Sequence, residues 1–378
     1  RRCCHRLSRM HLLEFLRPPQ EAAKQSGPKD KIILSSRVRL ARHLAGSPFP
    51  GWAKKPERIR ACEAIRTAVR ELPEMQGAFA ESMDALSGLD KQILVERHLV
   101  SREHAAKGTG SAFVLSKDES LCVMINEEDH LRMQSLKPGL QLHEAWQAID
   151  SLDTKLEQRL SYAFSPELGY LTACPTNVGT GMRVSAMLHL PGLVLAEQIN
   201  QVVQAVNKLG LAVRGLYGEG TEALGNIFQI SNQMTLGETE TVIVERLCKV
   251  VAQIIEHEEN GRGTLLEKKP KVVFNHIGRA YGILANAHSI SSKEAMNLLS
   301  LLRLGLDLGL FPGTARSLVD ELTILTQPAH LQARYSEKLS AEERDIRRAD
   351  MMREALHAVN RPVAPPGTAE PLDKPPSA

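Results

Sequence analysis

Six cysteines are scattered through 378 residues without one C-x-x-C pair, and two of them, Cys3 and Cys4, are adjacent. That spacing offers neither a zinc site nor a disulfide framework, so no metal-ligating set is expected and a reducing cytoplasm is the natural compartment. Long apolar runs are lacking as well. The longest, near residues 188–196, is interrupted by His189 and Pro191 and falls far short of a membrane span. The basic N-terminus has no apolar stretch of the kind an export signal needs. Nor does charge of one sign dominate. With 47 basic and 44 acidic residues the net charge is +3, which gives no broad nucleic-acid footprint; only the lead-in before Lys31 is locally basic. Neither G-x-x-x-x-G-K-[ST] nor G-x-G-x-x-G occurs, which removes two common backbone cradles for phosphates, and no internal repeat is present.

What is there suffices for two cores: 43% of the residues are apolar. Residues 1–30 read as a short helix and lead-in. Strand-like runs follow at Lys31–Ser35, Gln92–Val95, Ser111–Leu115, Leu121–Ile125, Gly169–Cys174, Val184–Leu190, Leu211–Arg214 and Asn226–Ser231. Helical periodicity marks Pro56–Leu72, Leu193–Leu209 and Glu240–Glu259. Because helices do not alternate regularly with these strands, the expected class is α+β, a largely antiparallel sheet flanked by helices over residues 31–262. From residue 263 to 359 only helical patterns remain, at Ser292–Leu304, Thr314–Leu325 and Ser340–Val359, which predicts a C-terminal helical domain. Its apolar residues fall on more than one helical face, so it is expected to pair two subunits. The stretch 360–378 holds six prolines and reads as a disordered tail.

Four segments carry chemistry. The stretch Met124-Ile-Asn-Glu-Glu-Asp-His-Leu-Arg132 stacks three acids, a histidine and an arginine behind an apolar run. Buried charges of this kind must pair with one another or with a ligand; an acidic loop on a solvated rim is the competing reading. In Ser35-Ser-Arg-Val-Arg-Leu-Ala-Arg42, strand alternation puts Arg37 and Arg39 on one face, where a polyphosphate would relieve their repulsion; a basic edge strand would look the same. Cys174-Pro-Thr-Asn-Val-Gly-Thr-Gly-Met-Arg183 combines two glycines with small polar groups before an arginine, suited to close phosphate approach or to a plain connection. Arg214-Gly-Leu-Tyr-Gly-Glu-Gly-Thr-Glu222 sets an arginine beside acids and glycines. Together they supply Arg37, Arg39, Arg132, Arg183 and Arg214 as anion ligands, with Glu128 and Glu219 as carboxylates.

The strings SSRVRLAR, NEEDHLR, CPTNVGTGMR and RGLYGEGTE resemble the ATP:guanido phosphotransferases, the family of arginine and creatine kinases, over roughly residues 31 to 260. GTEALGNIFQISNQ and the later ERDIRRA are similar to the bacterial protein-arginine kinase branch of that family, which extends the likeness to about residue 356. The resemblance implies that ATP is held by Ser35, Ser36, Arg37, Val38 and Arg39, by His98 and Arg132, by Arg183, Val184, Ser185, Ala186 and Met187, and by Arg214, Gly215, Leu216, Tyr217, Gly218 and Glu219. It implies that Glu128 and Glu219 meet the substrate guanidinium, with Glu128 as the expected proton acceptor, and that Cys174 is a positioning thiol or thiolate. Mg²⁺ would accompany ATP, with ligands the sequence does not name.

Two departures from the small-guanidine kinases stand out. Little chain precedes Ser35, where those enzymes carry a helical domain, so an open site is expected. Tyr217 stands where they usually have arginine, which favours a side chain displayed on a protein over a small zwitterion. The branch implies protein substrates with exposed arginines, a homodimer, an activator protein, a heat-shock repressor among the targets and an AAA+ protease that receives tagged proteins. It also implies an allosteric phosphoarginine pocket at Arg344, Asp345, Ile346, Arg347, Arg348 and Ala349. There Ser340 and Glu343 form a capping box, and Arg344 and Arg348 share a helix face. A phosphagen kinase and a non-catalytic phosphoarginine-binding adaptor remain the alternatives.

Overall fold

Strand β1 (Ile33–Arg42) organises the molecule. The computed structural model describes residues 12–215 and 223–363. In β1 the side chains of Ser36, Val38 and Leu40 are buried on one face, while Ser35, Arg37 and Arg39 alternate onto the other. The remaining strands are β2 (Phe79–Ser82), β3 (Ala112–Leu115), β4 (Leu121–Ile125), β5 (Leu131–Pro138), β6 (Phe164–Ser165), β7 (Gly169–Tyr170), β8 (Met182–His189), β9 (Leu211–Gly215) and β10 (Ile227–Asn232). Eight of them form one antiparallel sheet in the order β2-β3-β4-β5-β1-β8-β10-β9, and β6 and β7 make a separate hairpin.

The helices are α1 (Leu12–Phe15), α2 (Pro19–Ala23), α3 (Lys55–Arg70), α4 (Gly88–Glu96), α5 (Arg102–Ala105), α6 (Leu142–Glu157), α7 (Pro191–Leu195), α8 (Ile199–Lys208) and α9 (Glu240–Lys268). Beyond them lie α10 (Pro270–Asn286), α11 (Ser292–Asp307), α12 (Arg316–Leu325), α13 (Pro328–Gln332) and α14 (Ala341–Leu356). Helices α3, α6 and α9 cover one sheet face, where Val38, Leu40, Val123, Met133, Val184 and Leu188 join the main core. A second core, around Ile93, Leu94, Phe113 and Met124, covers the other face of β3 and β4, with Phe79 of β2 packed against it. The polar face of β1, β5 and β8 is left to the site.

Helices α10, α11, α12 and α14 enclose a third core that includes Ile277, Leu299, Leu302, Phe311 and Met352. The several apolar faces of this region are therefore largely consumed by its own packing, which removes that argument for pairing subunits. Buried charges tie it to the sheet. Glu258 accepts hydrogen bonds from Gly192 N–H and Leu193 N–H, both at 2.8 Å, and pairs with Arg262 at 2.6 Å, which reaches Asp307 at 3.2 Å. Arg303 holds Asp320 at 2.9 Å and donates to the carbonyls of Asp30 and Lys31 just before β1.

Several expectations need correction. Gln92–Val95 is helical, within α4, because Ser87 and Asp90 form a capping box that starts a helix there. Leu193–Leu209 is two helices, broken where Glu197 takes a left-handed φ of 59°. Helices α6 and α10 and strand β5 had no expected counterpart, and Arg132 lies in β5. No helix among the described residues is long and apolar enough to cross a membrane.

Candidate functional site

Pairing across β1 builds a cationic floor. Arg39 sits opposite Gln134 of β5 and Arg183 of β8, and Arg37 sits opposite Leu136 and Ser185. Arg132, opposite Ala41, adds a third row. Arg37 donates to Gln229 Oε1 at 2.7 Å and to Ser185 Oγ at 3.4 Å, and Arg183 to Ser231 Oγ at 3.0 Å. The Nε atoms of Arg39 and Arg183 are shielded from solvent and have no partner among the described residues. Burial, and then the fields of Arg132 and Arg183, lower Arg37 to about 10. Arg39 is pushed well below its ordinary value by burial and by Arg37, Arg132 and Arg183. Arg183 is lowered by burial, Arg214 and Arg132. Such mutual repulsion with orphaned donors calls for a multiply charged anion. The set fits a nucleotide polyphosphate.

Alternation also turns residues away. The side chains of Val38, Val184 and Ala186 lie in the main core, and buried Ser36 bonds Gly139 O at 2.8 Å, so these four face away from the cationic floor. Ser35, Ser185 and Met187 share the face of Arg37. His98 stands beside it with a left-handed φ of 58°, lowered to about 4 by burial and by Arg37 and Arg102. Arg214 is exposed at the edge strand β9, opposite Gln229, with Gly215 next to it. Leu216, Tyr217, Gly218 and Glu219 lie outside the described residues. Among the described residues no group of three or more His, Cys, Asp or Glu could hold a metal ion.

The acidic stretch is the turn between β4 and β5. Asn126, at φ 59°, closes it by donating its N–H to His130 O at 2.9 Å, and its side chain reaches Arg58 O and Gly110 O. Three of its four charged or titratable groups turn inward. Glu127 pairs with Arg132 and accepts from Ser101 Oγ; burial raises its pKa, but Arg132 and Ser101 outweigh that and the net shift is downward. Asp129 accepts a hydrogen bond from Ala173 N–H at 2.7 Å and is raised to about 6, chiefly by burial. His130 stacks on His43, ring centroids 4.3 Å apart, and burial lowers it to about 4. Glu128 alone is exposed, and it lines an open cavity of about 510 Å³ with Arg132, Glu127, Trp52 and Ala173. Cys174 follows Ala173, its Sγ 3.0 Å from Thr176 Oγ1. Asp129 thus ties the cysteine loop to the Glu128 turn. Sequence reading flagged this cluster but did not single out Glu127, Asp129, Ser101 or Trp52; only the need of buried acids for partners hinted at them.

On helix α14 the capping box forms, Glu343 N–H donating to Ser340 Oγ at 3.2 Å. Arg344 donates to Leu339 O at 2.8 Å, and Arg347 lies over the Tyr335 ring at 5.5 Å. Arg348 is only 1% exposed, its guanidinium bonded to Thr326 O and Ile290 O, both at 2.8 Å, and to Asp345 at 2.5 Å. Ile346 is exposed and Ala349 buried. Arg344 and Arg348 therefore share a helix but not, in this conformation, an open fork.

Two families match this chain. Residues 61–261 match the ATP:guanido phosphotransferase C-terminal catalytic domain. Residues 270–366 match the Protein-arginine kinase McsB C-terminal domain. A protein-arginine kinase of Halothermothrix orenii is 45% identical, across 88% of this chain and 95% of its own length. That of Bacillus licheniformis is 48% identical across 89% and 93%. Among solved structures, a duplicated taurocyamine kinase from Schistosoma mansoni with bound transition state analog components superposes with a TM-score of 0.56 at 27% identity, over 65% of this chain and 36% of that one. A lombricine kinase gives 0.54 at 24% identity, over 65% and 71%, and shows the fold alone.

Proposed function

The chain belongs to the ATP:guanido phosphotransferases, and from its place beside their protein-arginine kinases we propose that it transfers the γ-phosphoryl group of ATP to arginine side chains of proteins, giving phosphoarginine and ADP. One observation carries the reading most directly. A carboxylate, Glu128, stands exposed at the tip of a braced turn, beside an arginine floor in which the Nε atoms of Arg39 and Arg183 have no partner among the described residues.

The chemical obstacle is the substrate's proton. A guanidinium has a pKa above about 12, so losing it at neutral pH costs roughly 7 kcal/mol or more. Glu128 would align the planar group and accept that proton as attack proceeds. By resemblance Glu219 would hold its other edge, and Cys174 would position it. Arg37, Arg39, Arg132 and Arg183 would bind the phosphates and offset the charge of the transferring group, with Ser35, His98, Met187 and Arg214 around the nucleotide. Magnesium bound with ATP would supply further charge neutralisation.

Beyond the reaction, the reading extends to a cytoplasmic enzyme whose products go to an AAA+ protease and whose targets include a heat-shock repressor, with an activator protein as partner. It also extends to a phosphoarginine-sensing patch on α14 and to a homodimer through the C-terminal helices, where Val272 and Ile346 are exposed. Light scattering showing a concentration-independent monomer would remove the dimer.

Glu128→Gln keeps the shape and removes the proton acceptor. Incubated with MgATP and an arginine-rich unfolded protein, this variant should form acid-labile phosphate at least about 100-fold more slowly while binding ATP normally. Transfer within a few fold of the parent would overturn the role.

A further inference from the structure

Trp52 is 87% exposed, the most exposed large apolar side chain among the described residues. Its backbone is nevertheless held in a defined turn. The N–H groups of Trp52 and Ala53 both donate to Phe49 O at 2.9 Å, and Ala53 is buried. The Phe49 ring lies 4.0 Å from that of His43, which stacks in turn on His130. Leu44 N–H also bonds His130 Nδ1 at 3.2 Å. His130 closes the turn that presents Glu128, so the tryptophan turn and the glutamate turn are braced against each other through the adjoining rings of Phe49, His43 and His130.

Both side chains line the same cavity. Its other charged groups are Glu103, Glu127, Lys107 and Arg132, and Glu127 and Arg132 pair with one another. Two carboxylates and one ammonium remain, an excess of negative charge facing an indole. A flat aromatic face beside a carboxylate suits a planar guanidinium, which can stack and bond in the fork at once, better than an ammonium. We propose that Trp52 is a specificity-determining residue that stacks on the incoming arginine side chain of a protein substrate and holds it over Glu128. This rests on the protein-arginine kinase reading and adds how the side chain is captured.

The test has two arms. In steady-state transfer to an unfolded arginine-bearing protein, Trp52→Ala should raise the KM for that protein roughly tenfold. Its kcat and its KM for ATP should stay within about twofold, and Trp52→Phe should recover most of the loss. In a Trp146→Phe protein, where Trp52 is the sole tryptophan, an arginine peptide should change the indole emission saturably, and the same peptide with citrulline should not. An active Trp52→Ala enzyme with unaltered KM, or equal emission changes with both peptides, would overturn the inference. A parent enzyme that phosphorylates no arginine would instead sink the functional reading, and the emission arm would still report whether Trp52 recognises guanidinium.

Discussion

Arg39 and Arg183 face each other directly across β1 and β8, and the Nε of each is enclosed without a partner among the described residues. Like charges at a cross-strand pair destabilise a sheet unless an anion lies between them. Arg183→Ala or Arg37→Ala should therefore weaken ATP binding by about 1.5–3 kcal/mol, roughly 10- to 160-fold. Calorimetric titration reads this, and unchanged affinity would exclude the phosphate cradle.

Gly179 has φ 108°, and a Cβ there would sit 2.2 Å from Thr235 O. The same carbonyl accepts from Thr180 N–H at 2.8 Å, while Thr235 Oγ1 bonds Thr176 O and Val178 O, so the loop before Arg183 is stitched down at this point. Gly179→Ala should cost at least about 1–3 kcal/mol in denaturant unfolding and raise the KM for ATP. Gly210→Ala, at a positive φ with open space around it, is the control and should show only the backbone strain. Equal losses in both would mean the close approach to Thr235 is unimportant.

Stability should fall on acidification between pH 6.5 and 4. Burial holds His98, His104 and His130 at about 4, below their ordinary 6.5, so their contribution is complete above 6.5 and is lost as the pH drops through 4. Asp129 acts oppositely: raised from 3.8 to about 6, it penalises the folded state as pH rises through that interval and so partly offsets the loss on the way down. His43 and His189 are lowered by burial as well, and Asp153 and Glu258 raised, so five histidines against three carboxylates leave a net decline in melting temperature. His104→Gln, which keeps a donor for Ala112 O, should flatten the slope; an unaltered pH profile would clear His104.

Arg348 is buried among two carbonyls and Asp345, so Arg348→Ala would strand all three and should cost about 3–5 kcal/mol. Any effect of that variant on phosphoarginine binding is therefore mixed with unfolding of the helical region. Arg344→Ala avoids this, because among the described residues Arg344 makes one bond, to the Leu339 carbonyl. If a phosphoarginine pocket forms on α14, Arg344→Ala should weaken phosphoarginine roughly tenfold in titration with the melting temperature unchanged. Equal affinity would place the ligand elsewhere.

Much of the arginine floor was legible because it is local. A period of two sets Arg37 and Arg39 on one side of β1 whatever surrounds it, and the serine-glutamate spacing caps α14 without help from the rest of the chain. The run Gln92–Val95 was misread because a short apolar stretch looks alike in a strand and in a buried helix, and the capping box that decides it stands several residues upstream.

The sequence by itself determined the chemistry available: which segments carry arginines, which carries the acids, and how each alternates along its own element. Resemblance already pointed to Glu128, but only the tertiary structure gave the physical reason that it, of three neighbouring acids, stays open to a ligand. Glu127 is paired with Arg132 and bonded by Ser101, and Asp129 is bonded by the Ala173 amide, while Glu128 meets no such partner among the described residues and lines the cavity with Trp52. The reason is physical. A buried carboxylate must find a donor, and the donors that claimed Glu127 and Asp129 come largely from segments distant in sequence that only folding brings beside this turn.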